Sequence, residues 1–106
     1  MVCASCALTR EEGAGTSFRH RFKEPPERAA RCFARNAEEH SSALAAEIGP
    51  RDARGRVQVV VRVKNGIVYA MAELEPAGAG SDGTIQLMVT SSSGRDELAR
   101  SLLEGC

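Results

Sequence analysis

The stretch RVQVVVRVKNGIVYAMAELE, residues 56–75, admits few structures. Asn65-Gly66 is a strong two-residue hairpin turn, because both residues tolerate positive φ. With these two at the loop, the register follows: Lys64 faces Ile67, Val63 faces Val68, Arg62 faces Tyr69, Val61 faces Ala70, Val59 faces Ala72 and Val57 faces Leu74. One face then holds the odd-numbered valines with Val68, Ala70, Ala72 and Leu74. The other sets Arg56 against Glu75 and Gln58 against Glu73, with Val60 beside Met71. A slip of one residue would undo both the apolar segregation and the charge pairing.

The rest of the chain reads around this hairpin. TSFRHRFK alternates, with Phe18, His20 and Phe22 on one face and Arg19, Arg21 and Lys23 on the other, which is the period of a half-buried strand. Pro25-Pro26 ends it, and Pro26 suits the first position of a helix over about 26–39 that carries Ala29 or Ala30, Phe33 and Ala37 at helical spacing. His40-Ser41-Ser42 weakens helix propagation, so SALAAEIGP reads as a short strand. PAGAGSDG reads as a loop over 76–83, and TIQLMVT as a strand with Ile85, Leu87 and Val89 inward. Ser93 and Asp96 have capping-box spacing, Leu98, Leu102 and Leu103 form an apolar stripe, and Gly105 ends that last helix. The expectation is an α+β fold, β-α-(β)-β-β-β-α. Its antiparallel sheet has four or five strands, with two helices packed on one face. Residues 1–15 lack periodicity and read as a flexible tether; 16–106 read as one domain.

A chain of 106 residues has a thin core, and this one contains no Trp and only four aromatics. A staple would help it. Cys32 lies on the first predicted helix and Cys106 just past the second, so their ends can meet if both helices share a sheet face. A bridge would close a loop of about 75 residues, for which chain entropy gives roughly 4 kcal/mol. It would also fasten a helix at a terminus that otherwise frays. The other reading is two unpaired thiols, one buried and one exposed.

Cys3 and Cys6 have the Cys-x-x-Cys spacing of metal and redox sites. A redox site needs a βαβ context that is missing here. Zinc needs a second ligand pair, and Cys32, Cys106, His20 and His40 contain no two residues at close ligand spacing. His20, between two phenylalanines, reads as a strand residue and His40 as exposed. No metal site or other cofactor is expected. Ala4-Ser5-Cys6 resembles the end of a bacterial lipobox, and the polar, Gly-containing stretch after it is similar to the tether of small outer-membrane and periplasmic lipoproteins. The resemblance covers the first fifteen residues. It departs from the pattern at Cys3, where Leu is usual, and in the apolar segment that should precede it. It implies lipid attachment at Cys6, with Cys3 the second choice, and export through a leader encoded upstream of Met1. Its oxidising compartment agrees with a Cys32–Cys106 bridge.

Fourteen acidic residues balance fourteen basic ones, which argues against a dedicated nucleic-acid or membrane-surface protein. Neither G-x-S-x-G nor H-E-x-x-H occurs, and Glu73 and Glu75 are explained by a solvated strand face. Val60, Ile67, Tyr69 and Met71 cluster on the outer hairpin face and form the candidate partner surface. The leading expectation is therefore a non-enzymatic cell-envelope domain, periplasmic or anchored to the outer membrane, touching the membrane only through a lipid. Its partner would be an unidentified protein or envelope component. The alternative is a small cytosolic protein that uses Cys3 and Cys6 to bind zinc or associate with nucleic acid.

Overall fold

The computed structural model describes residues 16–64, 66–88 and 92–106. The expected tether 1–15, Asn65 of the turn and Val89 lie outside the described residues. In chain order the elements are β1 (Thr16–Phe22), α1 (Pro26–His40), β2 (Leu44–Ile48), β3 (Val57–Val63), β4 (Val68–Ala77), β5 (Gly80–Leu87) and α2 (Ser92–Leu103). The strands form one antiparallel sheet in the order β1-β5-β4-β3-β2. Strands β2 to β5 are a meander. Helix α1 carries the chain from β1 at one edge to β2 at the other.

Period-two alternation decides what the sheet buries. Val57, Val59, Val61, Ala70, Ala72, Leu74, Ile85 and Leu87 face the helices and are almost wholly inaccessible. Against them α1 sets Ala29, Ala30, Phe33 and Ala37, all at most 1% exposed. Pro26 opens α1 at a position where no N–H is missed. Its arginines 28, 31 and 35 point to water. Leu98 and Leu102 add the contribution of α2 to the same core. Gly105, with φ +77°, ends the last turn, and the Cys106 N–H returns to the Leu103 carbonyl.

Three expectations need correction. Residues 76–83 are not a loop: β4 runs on to Ala77, Gly78-Ala79 makes the turn, and β5 starts at Gly80. Gly78, with φ +59°, supplies the positive first dihedral that tight hairpin turns use. Pro76 is tolerated because β3 begins opposite Leu74, leaving no neighbour on that side to miss a donor. The glycines that suggested a loop instead serve packing. A Cβ on Gly80 would collide with the Phe22 carbonyl, and one on Gly83 would lie 2.5 Å from the Phe22 ring and 2.8 Å from Leu74.

The hairpin register agrees with expectation from Val57↔Leu74 to Val61↔Ala70, and then shifts. Arg62 pairs with Val68, so Tyr69 is the extra residue of a β-bulge. The Val63 N–H reaches the Ile67 carbonyl at 2.9 Å, and the Gly66 N–H reaches the Val63 carbonyl at 2.7 Å. This tightened end displaces the expected Arg62–Tyr69, Val63–Val68 and Lys64–Ile67 pairs. Finally, α2 is already helical at Ser92, so Ser93 lies inside the helix and is not its N-cap.

Substituting Gly83→Ala should destabilise the domain by about 1–3 kcal/mol, since the added methyl must displace a buried ring or leucine. Urea unfolding of the two proteins checks this; an unchanged midpoint would show that the close packing at Gly83 is dispensable.

Candidate functional site: sheet face and edges

The helices cover one side of the sheet; among the described residues nothing covers the other. Along the bare side, Gln58, Glu73, Thr84 and Arg19 lie in one row across four strands, and Glu47, Val60, Met71, Gln86 and Ser17 in the next. Charges are laced across it: Arg19 and Arg21 approach Asp82 at 3.9 and 3.6 Å, and Arg62 approaches Glu47 at 3.9 Å. Such exposed pairs contribute little stability, but they set the electrostatic pattern a partner would meet.

The four residues of the expected partner surface do not stay together. Val60 and Met71 are directly opposed and half-buried on the open face. Ile67 is 71% exposed beside the turn. Tyr69, the bulged residue, packs against the core cluster instead. Alternation alone would place Tyr69 outward, and it is the extra residue that breaks the alternation.

The expected Arg56–Glu75 pair is also replaced. Arg56 lies ahead of β3 and its Nε donates to Asp52 Oδ2 at 2.8 Å; its nearest strand carboxylate is Glu73, at 3.9 Å. Asp52 organises the β2–β3 loop, its Oδ1 accepting from the backbone N–H groups of Arg54 and Arg56 at 2.9 Å each. These hydrogen bonds, led by the Arg56 N–H, hold the Asp52 carboxyl below the ordinary range despite some desolvation. Above the loop, a cleft of about 350 Å³ lies between α1 and the β2–β3 connection, where Arg51 pairs with Glu27 at 3.5 Å.

The helices are joined covalently. Cys32 and Cys106 form a disulfide with Cα atoms 5.9 Å apart. Asn36, one turn after Cys32, donates from Nδ2 to the Leu102 and Glu104 carbonyls, each at 2.9 Å. Those are carbonyls that the end of α2 leaves without intrahelical partners. The Lys23 N–H donates to the Cys106 carbonyl at 3.2 Å, so the last residue also holds the end of β1. The composition suggested the disulfide. The part played by Asn36 had no sequence signal, because an Asn on a helix reads as one more polar surface residue.

Cys3 and Cys6 lie outside the described residues. With Cys32 and Cys106 bonded to each other, neither offers a thiolate to a metal. His20 is half-buried, its ring edge-on to Phe22 with centroids 4.7 Å apart, and burial lowers its pKa. His40 is exposed at the end of α1.

The two sheet edges differ. On β2 the outward Leu44 N–H is satisfied by the Ser41 carbonyl at 3.1 Å, and the Ala46 N–H by Glu38 Oε2 at 3.0 Å. A carboxylate from α1 thus closes that edge. Among the described residues, β5 is the one strand paired with β1. No protein-family model matches the chain, and no characterised protein matches it in sequence.

Two outcomes follow. Cys32→Ser, or reduction, should lower stability by about 2–4 kcal/mol, and Asn36→Ala by about 1 kcal/mol in the oxidised protein; denaturant titrations with and without reductant measure both. For Asp52, a lowered carboxyl pKa means its contribution to the loop is complete above the ordinary carboxylate value and disappears as pH falls through the depressed one. NMR titration should show the Arg54 and Arg56 amide shifts following that low transition, and Asp52→Asn should abolish it.

Proposed function

We propose that this chain is a non-enzymatic, exported cell-envelope domain that binds a protein or other envelope component through its uncovered sheet. On this reading it is held at the membrane by a lipid on Cys6, or failing that on Cys3. The carrying observation is the Cys32–Cys106 disulfide, which ties both helices to one side of the sheet, while among the described residues nothing packs over the other side. Disulfides persist in oxidising compartments, which supports export. Solvent-facing sheet edges are recurrent sites of protein recognition, which supports binding. The Val60–Met71 pair is the apolar centre of the bare face and the proposed contact there.

The test is expression in a Gram-negative host from the native gene with its upstream DNA. The chain should fractionate with membranes, incorporate labelled fatty acid and resist thiol alkylation at Cys32 and Cys106 until reduced. Cys6→Ser should move it to the soluble periplasmic fraction. Recovery in the cytosol with four alkylatable thiols would overturn the reading.

A further inference from the structure

We propose that the outer edge of β1 is a docking strand for an extended partner segment in which acidic and apolar residues alternate, added antiparallel or parallel as a further strand of the sheet. This rests on the binding-module reading and specifies its partner.

Backbone hydrogen bonding distinguishes the two edges of the sheet. The outer edge of β2 is occupied by the Ser41 carbonyl and the Glu38 carboxylate. Across the seven residues of β1, the backbone groups turned away from β5 meet no backbone partner among the described residues. A sheet edge of this kind is a template for main-chain hydrogen bonding.

Side chains then select the occupant. On the open face Arg19 and Arg21 are 66% and 65% exposed and share one carboxylate, Asp82, at 3.9 and 3.6 Å. Two guanidinium groups against one carboxylate leave the edge positive, and Lys23, exposed just past the strand, adds to it. Acidic side chains on a neighbouring strand would lie directly opposite these arginines, where cross-strand charge pairs are favourable. On the helix side, Phe18 is half-buried and packs against the core at its rim. The intervening residues of an added strand would fall beside Phe18, where apolar side chains extend the core. Period two therefore asks for acid, apolar, acid, apolar along the partner.

A second copy of the chain does not fit this edge. Two β1 strands side by side would set arginines against arginines. The β2 edge of another copy has the outward N–H groups of Leu44 and Ala46 already engaged by Ser41 and Glu38, which leaves too short a free run for a second strand.

The probe is a synthetic glutamate–valine alternating peptide titrated into the oxidised full chain, with a lysine–valine peptide of equal length as control. Binding of the acidic peptide should shift the amide resonances of residues 16–22 and slow their hydrogen exchange. Arg19→Glu with Arg21→Glu should weaken it at least tenfold and admit the lysine peptide. Should that variant not fold, Arg19→Gln with Arg21→Gln should weaken binding in the same direction. A backbone N-methylated acidic peptide should not bind. Absence of binding, binding that leaves the β1 amides unshifted, or equal binding of the N-methylated peptide would each overturn the proposal. The fractionation test reads separately: a cytosolic, reduced chain that still binds the peptide at β1 would overturn export and keep the docking strand.

Discussion

A helix lies close to a sheet only when the side chains between them are small, and this domain depends on that closeness. Ala29, Ala30 and Ala37 of α1 meet a surface whose central strand contributes Ala70 and Ala72. Each of these is at most 1% exposed, so little void remains for larger residues to fill. Phe33 and Phe22 supply the volume that alanines cannot. The glycines of β5 follow from the same constraint. Gly83 leaves room for Phe22 and Leu74, and Gly80 lets β5 pass beside the Phe22 carbonyl. The buried Ser81 between them donates its hydroxyl to the Glu24 carbonyl at 2.7 Å, pinning the connection into α1.

A core built from alanine and valine buries less apolar area per residue than one built from leucine and aromatics, so it gives a terminal helix less hold. The C-terminus makes up the difference through bonds. Cys106 is linked to α1 by its sulfur and to the end of β1 through its carbonyl, and Asn36 takes up two carbonyls at the end of α2. Removing apolar area from the core and adding a covalent link act on different states. Burial stabilises the folded chain, whereas the disulfide chiefly restricts the unfolded one.

The same arrangement leaves an asymmetric sheet. α1 crosses from β1 to β2, and its last turn brings Glu38 to the β2 backbone. Among the described residues no such carboxylate meets the β1 backbone, and its arginines lean toward Asp82 on the neighbouring strand. One edge is thus partly shielded by the chain's own helix, while the other, among the described residues, combines unpaired backbone with positive side chains. The proposed binding role rests on this difference between the two edge strands.

By itself the sequence determined the order of the elements and the register at the centre of the β3–β4 pair. Alternation in residues 57–61 and 70–74 favours one pairing, because a slip of one residue would turn the inward valines to water. The Cys32–Cys106 link was readable from helix placement and a thin composition. Tertiary structure decided what local pattern cannot carry. The bulge that turns Tyr69 inward comes from how the turn closes, a matter of backbone hydrogen bonds among Val63, Gly66 and Ile67. Gly80 and Gly83 signal a loop locally, yet they are strand residues because Phe22, about sixty positions earlier, needs the space. Which edge stays open depended on where the end of α1 lands, since a glutamate on a helix gives no sign of the amide it will meet across the fold.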